Sequence, residues 1–432
     1  MPRQSRYTPL RVLLNNRLVG HLLREPGGGI TFRYDASWLD RGQAVPVSLS
    51  LPLREDAYKG EPVYAVFDNL LPDAERLRRR VAEKVGAAGT DPYSLLSRIG
   101  RDCAGALQFI PDDDHGEYDT AAITGDVVDD GEIEDLLKNL VQAPLGLDRD
   151  QEFRISIAGA QEKTALLFYK GKWRKPHGMT PTTHIFKAQI GTLPNGIDLS
   201  NSVENEYYCL KLVAAFGLPV NGAEISVFGK TKALVIERFD RRWTKDGRLL
   251  RLPQEDCCQA LSVPPGRKYQ NEGGPGMVEI LNLLKASDTP AEDQKKFLKA
   301  QILHWLLGAT DGHAKNFSVF LGPGGRFYMT PLYDILTAQP SLDAHQSVHK
   351  QMKLAMAVGK QHYAIEYIQP RHFIQTTERA GLPGALAADA FKEIVEAAPA
   401  AMTAVEKQLP ADFPDSIHAS VRAGFLSRLQ KV

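Results

Sequence analysis

The sequence contains little cysteine and no long hydrophobic run. Four of its 432 residues are cysteine, and their spacing matches neither a disulfide framework nor a metal-binding motif. No stretch approaches the ~18 consecutive apolar residues that a membrane helix needs. The N-terminal residues also lack the apolar segment of a signal peptide. These absences predict a protein of a reducing compartment with no membrane segment, and we expect it in the cytoplasm.

The chain also lacks an excess of either charge. Lys plus Arg and Asp plus Glu number 52 each, so the formal net charge is zero and gives no general argument for nucleic-acid binding. A hydrophobic content of 43% and a charged content of 24% are ordinary values for a globular protein. The length exceeds what one hydrophobic core usually supports, so we expect about two or three subdomains and room for an enzyme's cleft.

Local patterns separate a β-rich first half from a helical second half. Three short apolar runs, 10–14, 17–23 and 30–34, are separated by Asn and Gly turn residues and predict a β-meander. From Ala260 onward, apolar residues recur mainly at helical spacing. The sequence therefore predicts an α+β protein with two lobes.

One predicted helix, from Pro72 to Val85, is strongly basic. Its apolar residues recur at helical spacing. Its first turns carry four arginines, which are Arg76, Arg78, Arg79 and Arg80. We interpret them as a solvated helix face, with a nucleic-acid patch as the alternative.

The most informative stretch is Gly308 to Ser318, GATDGHAKNFS. Asp311 and Asn316 lie five residues apart, the spacing of a kinase catalytic loop. In such a loop the Asp accepts the proton of the attacking hydroxyl and the Asn binds magnesium. A predicted hairpin follows, which can bring Asp334 back beside Asn316 as a second magnesium ligand. The stretch therefore predicts a metal-dependent phosphoryl-transfer site.

Two other interpretations of this stretch stay open. An Asp-Gly pair is a common turn signal, so Asp311 and Gly312 alone would be structural in most proteins. A metallohydrolase with Asp311 and His313 as metal ligands is the other chemical alternative. We place it lower because no companion His pair at helical spacing accompanies them.

Three further segments fit a nucleotide site, although each is a weak signal alone. The segment 155–163, ISIAGAQEK, contains Gly159 and Ala160, small residues that let a backbone approach phosphate oxygens. Lys187 ends a predicted strand, as does the kinase lysine that orients the ATP phosphates. The segment 237–240 follows another predicted strand. In a two-lobed kinase, backbone groups at such a strand end bind adenine.

These segments occur in the order found in the HipA family of bacterial serine/threonine kinase toxins, and the chain resembles that family over nearly its whole length. The strings 69–72 (NLLP) and 353–356 (KLAM) also match it. The resemblance implies a bilobal kinase-like α+β fold. Its expected parts are an N-terminal β-rich subdomain (1–112), an acidic connection with a helix (113–149), a nucleotide-binding small lobe (150–239) and a helical catalytic lobe (240–432).

The resemblance also implies a role for individual residues. Asp311 would be the catalytic base, Asn316 and Asp334 would bind Mg²⁺, and Ser156 would be autophosphorylated. The residues implied at the ATP site are Ile157, Lys163, Lys187, Glu237, Phe239, His313 and Tyr333.

The family further implies partners and a biological role. It implies an ATP-dependent kinase toxin of a type II toxin–antitoxin pair that phosphorylates glutamate-tRNA synthetase, arrests growth and takes part in persistence. A HipB-like helix-turn-helix antitoxin would restrain it and contact operator DNA for transcriptional repression. Family members can contact operator DNA through basic residues of the helical lobe, but 376–382 carries only Arg379 as a basic residue, so we expect operator DNA to be bound mainly through the antitoxin. The alternative function is a HipB-binding corepressor with weak or vestigial kinase activity.

Overall fold

A computed structural model describes residues 7–114, 122–147, 155–159, 161–346 and 352–432. Ala160 of the predicted glycine loop, residues 115–121 of the acidic connection and the predicted boundary at 149/150 lie outside the described residues. The chain forms two compact units built from non-adjacent segments. Unit 1 comprises Met1–Ala188, Ser226–Gly266 and Val319–Phe327, and unit 2 comprises Gln189–Ile225, Arg267–Ser318 and Tyr328–Val432. The division into four consecutive parts stays a prediction.

The strands of the described chain are β1 Leu10–Leu14, β2 Arg17–Arg24, β3 Ile30–Tyr34, β4 Tyr58–Lys59, β5 Leu107–Pro111, β6 Gly125–Val127, β7 Lys163–Tyr169, β8 Lys172–Pro176, β9 His184–Ala188, β10 Gly191–Thr192, β11 Asp198–Leu199, β12 Ala223–Phe228, β13 Thr231–Glu237, β14 Arg241–Trp243, β15 Leu249–Arg251, β16 Gln254–Asp256, β17 Ser318–Leu321 and β18 Phe327–Met329.

Its α-helices are α1 Ala36–Leu39, α2 Glu61–Asp68, α3 Glu75–Val85, α4 Pro92–Ile99, α5 Asp130–Lys138, α6 Ser202–Ala215, α7 Cys257–Ala260, α8 Met277–Leu284, α9 Pro290–Leu307, α10 Gln339–Asp343, α11 Pro370–Arg379, α12 Ala385–Glu406 and α13 Asp415–Leu429. Among the described residues, no helix is long and apolar enough to cross a bilayer.

Unit 1 begins with a five-stranded sheet of order β4-β3-β2-β1-β5. The turn between β1 and β2 is made by Asn15 and Asn16, which have φ values of 46° and 64° and so suit the tight turn of a hairpin. Phe32, Phe67 and Phe109 are buried in one core that the sheet shares with α2 and α4. The predicted β-meander is thereby confirmed.

A second sheet has six strands in the order β12-β13-β9-β7-β8-β6, of which β13, β9, β7, β8 and β6 lie in unit 1. Helix α5 covers one face, where Ile133 and Leu137 pack with Leu166, Phe186 and Phe228. Several of the predicted nucleotide-site residues lie on these strands: Lys163 on β7, Lys187 on β9 and Glu237 on β13.

Unit 2 is mainly helical, and α9 packs against α6, α8, α12 and α13. The C-terminal half of α9 is buried on all sides, which explains why apolar residues surround it rather than form one stripe. Trp305 is fully buried and packs against Phe373 and Phe391. The α+β fold class with a helical C-terminal part is confirmed.

The basic helix differs from its prediction. Helix α3 begins at Glu75 because Pro72 is extended and forms a parallel bridge with Gly159. The solvated-face interpretation holds for the exposed Arg76 and Arg79. It is wrong for Arg78, which is 6% exposed and forms a buried ion pair.

Candidate active site

The predicted catalytic loop starts where α9 ends. Gly308 terminates the helix with a φ of 74°, a left-handed conformation that favours glycine. The buried guanidinium of Arg428 donates from Nε to the carbonyl of Leu306 at 2.8 Å. This contact satisfies one of the carbonyls that a helix end leaves unpaired and anchors the start of the loop.

Asp311 lies exposed in this loop, and Tyr269 holds its carboxylate. The Tyr269 hydroxyl donates to Asp311 Oδ1 at 2.5 Å. The ring of Tyr269 contacts the His313 ring edge-on, with centroids 4.9 Å apart. The amide of His313 donates to the Asp311 carbonyl at 2.8 Å, which closes the turn. Sequence reasoning missed Tyr269, because no motif connects it to a loop that lies more than 40 residues away.

Asn316 and Asp334 come together as the sequence predicted. Asn316 Nδ2 donates to the main-chain carbonyl of Asp334 at 3.1 Å and lies 3.4 Å from its Oδ2. Asn316 Oδ1 is buried and has no hydrogen-bond partner within the described chain. An unpaired amide oxygen beside a carboxylate supplies the hard oxygen donors that Mg²⁺ prefers, so these residues fit the metal.

The position of Asp334 depends on two connections within unit 2. Just before it, Leu332 forms a parallel bridge with Val220. Just after it, the Asn205 side chain donates to the Thr337 carbonyl at 2.8 Å and accepts from the Thr337 amide at 2.9 Å. Asp334 itself has a φ of 58°, which is uncommon for a residue with a side chain and is held by these flanking contacts.

Tyr333 also holds the loop in place, through hydrogen bonds of its hydroxyl group. Its hydroxyl donates to the carbonyl of Lys315 at 2.7 Å and lies 2.5 Å from the Ser318 hydroxyl. The predicted role of Tyr333 in lining a nucleotide site stays a prediction, and the structure adds a role in shaping the loop.

His304 lies buried on α9 directly behind the loop. A Cβ atom on Gly312 would lie 2.4 Å from His304 Nδ1, so the loop needs glycine here. Neither ring nitrogen has a hydrogen-bond partner among the described residues. Burial lowers the pKa of His304 to about 4. The ring is therefore neutral at physiological pH, and the loop packs closely against it at Gly312.

In unit 1 the two predicted lysines face each other. Lys163 on β7 is the register partner of Lys187 on β9, and both are buried. Lys163 Nζ donates to the carbonyl of Ala158 at 2.7 Å. Gly159 has a φ of 112°, and a Cβ there would lie 2.5 Å from Lys163 Nζ. Lys163 is thereby held against the loop that the sequence predicts to approach phosphate oxygens.

Ser156 and Ile157 lie on the buried side of the same loop. The Ser156 hydroxyl donates to the Leu70 carbonyl at 2.7 Å, and its amide donates to the Asp102 carbonyl at 3.0 Å. Ile157 belongs to the N-terminal hydrophobic core. Phosphate could reach Ser156 only after the loop moves, because this side chain has no exposed surface.

Glu237 and Phe239 lie where β13 ends. Glu237 is exposed, and Phe239 packs edge-on against Phe320 with ring centroids 5.8 Å apart. The residue between them, Arg238, is buried, and its amide donates to the Thr183 carbonyl at 2.9 Å. This backbone hydrogen bond holds the residues that follow β13 in place.

A buried charge cluster supports this strand exit. Its members are Asp102, Arg238, Asp240, Arg241 and Arg251. Burial would raise the pKa of the Asp102 carboxyl, but the three guanidiniums hold it below its usual range. Burial lowers the pKa of Arg251 to about 10. Sequence reasoning missed this cluster, because its acidic and basic members come from three separate segments.

The structure thus brings together Asp311, His313, Asn316, Tyr333 and Asp334 in unit 2. It brings together Ser156, Ile157, Lys163 and Lys187 in unit 1, with Glu237 and Phe239 at the end of β13 in the same sheet. Among the described residues, no group of three or more His, Cys, Asp and Glu side chains could hold a metal ion. Asp311 and His313, the ligands of the metallohydrolase alternative, therefore belong to no such group among the described residues.

Comparison with known proteins identifies relatives of both parts of the chain. The family model of the HipA-like C-terminal domain matches residues 155–402, and that of the HipA N-terminal domain matches residues 10–110. A putative kinase, Y4mE, of Sinorhizobium fredii is 37% identical over 358 residues, 81% of each chain. The serine/threonine-protein kinase toxin HipA of Shewanella oneidensis is 27% identical over 394 residues, which cover 87% of this chain and 84% of the toxin.

A comparison with solved structures shows that the fold is similar to that of a HipA protein. The Shewanella oneidensis HipA chain, in a complex with HipB and its operator DNA, superposes with a TM-score of 0.82 at 25% sequence identity. The superposition covers 98% of this chain and 96% of that one.

Proposed function

Since the chain belongs to the HipA family, we propose that it is an ATP- and magnesium-dependent serine/threonine protein kinase that acts as the toxin of a type II toxin–antitoxin pair. The observation that carries this proposal is the pairing of Asn316 with Asp334 in the loop system that presents Asp311. The unpaired amide oxygen of Asn316 supports a metal-binding role rather than a purely structural one.

Asp311 would act as the general base. Its carboxylate would accept the proton of a serine or threonine hydroxyl, whose oxygen forms a bond to the γ-phosphorus of ATP while the bond to the β–γ bridging oxygen breaks and ADP leaves. The Tyr269 hydroxyl, donating to Oδ1, would orient the carboxylate so that Oδ2 faces the substrate. Removing such a group commonly lowers the rate ~100-fold or more.

Asn316 and Asp334 would hold the magnesium ion, which when bound neutralises charge on the phosphate oxygens. Asn316 would use the oxygen that is unpaired in the described chain, while its Nδ2 keeps the Asp334 backbone in place. These two residues alone offer few ligands, as is usual for a magnesium site completed by phosphates and water.

Unit 1 would bind the nucleotide. Lys163 and Lys187, side by side and buried, would pair with its phosphates. Backbone groups of Ile157 and the neighbouring glycine would approach the phosphates, and backbone groups of Glu237 and Phe239 would bind adenine. From the family resemblance we further propose that His313 and Tyr333 contact nucleotide.

The partners belong to the same proposal. A HipB-like helix-turn-helix antitoxin would bind this chain and carry the contacts to operator DNA, which is supported by the composition of the Shewanella complex. Glutamate-tRNA synthetase is the protein substrate that we propose from the family resemblance. The corepressor alternative is less favoured, because a binding module has no physical need for the Asp311, Asn316 and Asp334 arrangement.

Phosphate transfer by purified variants tests the proposal. We expect Asp311→Asn and Asp334→Asn each to abolish transfer from radiolabelled ATP to protein in the presence of magnesium, with a loss of ~100-fold or more. Asp412→Asn provides the matched control, because Asp412 is exposed and far from the loop in sequence. All three should show unchanged circular dichroism. Substantial turnover by either catalytic variant would contradict the assignment.

A further inference from the structure

The predicted ATP loop is bordered by a segment of the N-terminal part of unit 1. We define the phosphate-loop segment as residues 155–159 and 161–163. Ser156 donates its hydroxyl to the Leu70 carbonyl at 2.7 Å, and the Asp73 amide donates to the Gly159 carbonyl at 3.2 Å. The first part of the phosphate-loop segment is therefore held by backbone groups of residues 68–73.

Arg78 fixes the shape of residues 68–73. Its guanidinium forms a 2.5 Å ion pair with the Asp68 carboxylate and donates to the carbonyls of Asp68 at 3.1 Å and Pro72 at 2.5 Å. Both charged side chains are buried. One arginine thus ties together the two ends of the segment that receives the loop.

Arg80, on the same helix, contacts the other end of the phosphate-loop segment. Its Nη2 lies 2.5 Å from Glu162 Oε1, and its Nη1 donates to the Val141 carbonyl. The side chains of this ion pair are only 25% and 32% exposed. Glu162 immediately precedes Lys163, the buried lysine of β7. A displacement of Glu162 would therefore displace the start of that strand.

We propose that the Arg80–Glu162 ion pair is a latch through which the N-terminal part of the chain positions the phosphate-loop segment for ATP. This inference rests on the proposed function, because it takes the segment to be an ATP phosphate site. Arg80 and Glu162 are positioning residues: they act through Lys163 and the loop backbone. Holding a binding loop in its bound shape improves affinity by reducing the ordering cost of binding.

The three consecutive arginines of this helix have different surroundings. Arg78 points into the core and Arg80 reaches the loop, whereas Arg79 is exposed and pairs with Glu75 one helical turn earlier. Arg79 therefore has the same charge on the same helix without contact to the loop. It provides a matched control for a change at Arg80.

Charge reversal in the full-length protein tests the latch. The variants are Arg80→Glu, Glu162→Arg, the double reversal and the control Arg79→Glu. For each, we would measure kcat and KM for ATP, the affinities for ATP and adenosine, and the melting temperature. Hydrogen exchange of peptides that contain Ser156 and Glu162 would be measured without nucleotide.

We expect either single reversal at the latch to raise KM for ATP about three- to tenfold, the effect of losing a contact between coupled residues. The value of kcat and the affinity for adenosine should change little. Loop peptides should exchange faster. The double reversal should restore much of the ATP affinity and of the exchange protection, and Arg79→Glu should behave as wild type.

Specific results would overturn the latch. One is unchanged loop exchange in Arg80→Glu; another is a double reversal no better than the weaker single variant. Faster exchange with unchanged KM for ATP would overturn its positioning role. If the wild-type protein failed to bind ATP, the proposed function would fall, and the exchange data of the double reversal would still decide whether the latch exists.

Discussion

At the scale of single residues, the sheet makes Lys163 and Lys187 neighbours, although they are 24 positions apart in the sequence. A lysine at the end of a strand is usually solvated, but these two are buried and face each other across β7 and β9. The strand register thus places two of the predicted phosphate-binding cations side by side in one sheet, next to the loop that Lys163 contacts.

We expect Lys187→Ala to weaken ATP binding more than adenosine binding, because the ammonium group would interact mainly with the phosphates. Titration of both ligands into the purified variant would measure this difference. Lys170→Ala, at an exposed hairpin tip, is the control and should change neither affinity. Equal losses for ATP and adenosine would contradict a phosphate role for Lys187.

Glu255 permits a prediction about pH at the same scale. It is fully buried, accepts a hydrogen bond from the Leu49 amide at 2.7 Å, and has its pKa raised to about 8 by burial. The folded protein therefore holds this proton more tightly than the unfolded chain. The stability contributed by the protonated group is complete below about pH 4.5 and is lost progressively as the pH rises to about 8.

Glu255→Gln removes this titration because glutamine cannot ionise. We expect the melting temperature of the variant, relative to wild type, to increase between pH 5 and about 8. Thermal unfolding at a series of pH values would show it. The exposed Glu224→Gln is the matched control and should stay parallel to wild type. Parallel curves for Glu255→Gln as well would show that Glu255 does not titrate in this range.

At the scale of elements, the phosphate-loop segment has to move if Ser156 is phosphorylated. In the structure the Ser156 hydroxyl is buried against the Leu70 carbonyl, and there is no room for a phosphate. A phosphoserine also adds about −1.5 to −2 charges, which would repel the ATP phosphates. Phosphorylation should therefore hold the loop away from its observed position.

We expect phosphate on Ser156 after expression of the active protein, none in Asp311→Ala, and weaker ATP binding by the modified form. Mass spectrometry of tryptic peptides and nucleotide titration of the separated forms would measure both effects. Unmodified Ser156 in active protein, or equal ATP affinity of the two forms, would refute this switch.

The elements themselves were largely predictable. Strands β1, β2 and β3 coincide to within one residue with the predicted runs 10–14, 17–23 and 30–34, and α8 lies in the region predicted to be helical. The start of α3 was not, because Pro72 forms a bridge with Gly159 and the helix begins only at Glu75. Local propensity could not report a contact with a loop that lies more than 80 residues later in the chain.

At the scale of the whole molecule, growth arrest and antitoxin binding should be separable. Asp311 is exposed in its loop, so Asp311→Asn should leave the fold and surface intact while removing the base. We expect this variant to bind a HipB-like antitoxin and to repress transcription with it, but not to arrest growth.

Induced expression with growth curves, paired with co-purification of the antitoxin, would measure both properties. Asp412→Asn should arrest growth as wild type does. Growth arrest by Asp311→Asn at wild-type strength would contradict a toxic role for the kinase site, and the absence of growth arrest by the wild-type protein would favour the corepressor alternative.

Local sequence patterns were enough to predict the α+β class, most strands and helices, and the two groups of candidate residues. They were enough because turn residues, helical spacing and the interval between Asp311 and Asn316 are local features. The family resemblance connected these features to a kinase. The confirmed pairing of Asn316 with Asp334 was predictable because only a short hairpin separates them.

The side chains that support those residues became evident only from the packing of the folded chain. Three contacts join segments that are distant in sequence or carry no motif. They are those of Tyr269 with Asp311, of His304 with Gly312, and of Arg80 with Glu162. The same is true of Arg78, which the sequence pattern placed in solvent. Burial and pairing arise when separate elements pack together, and a pattern confined to one element contains no information about its partner.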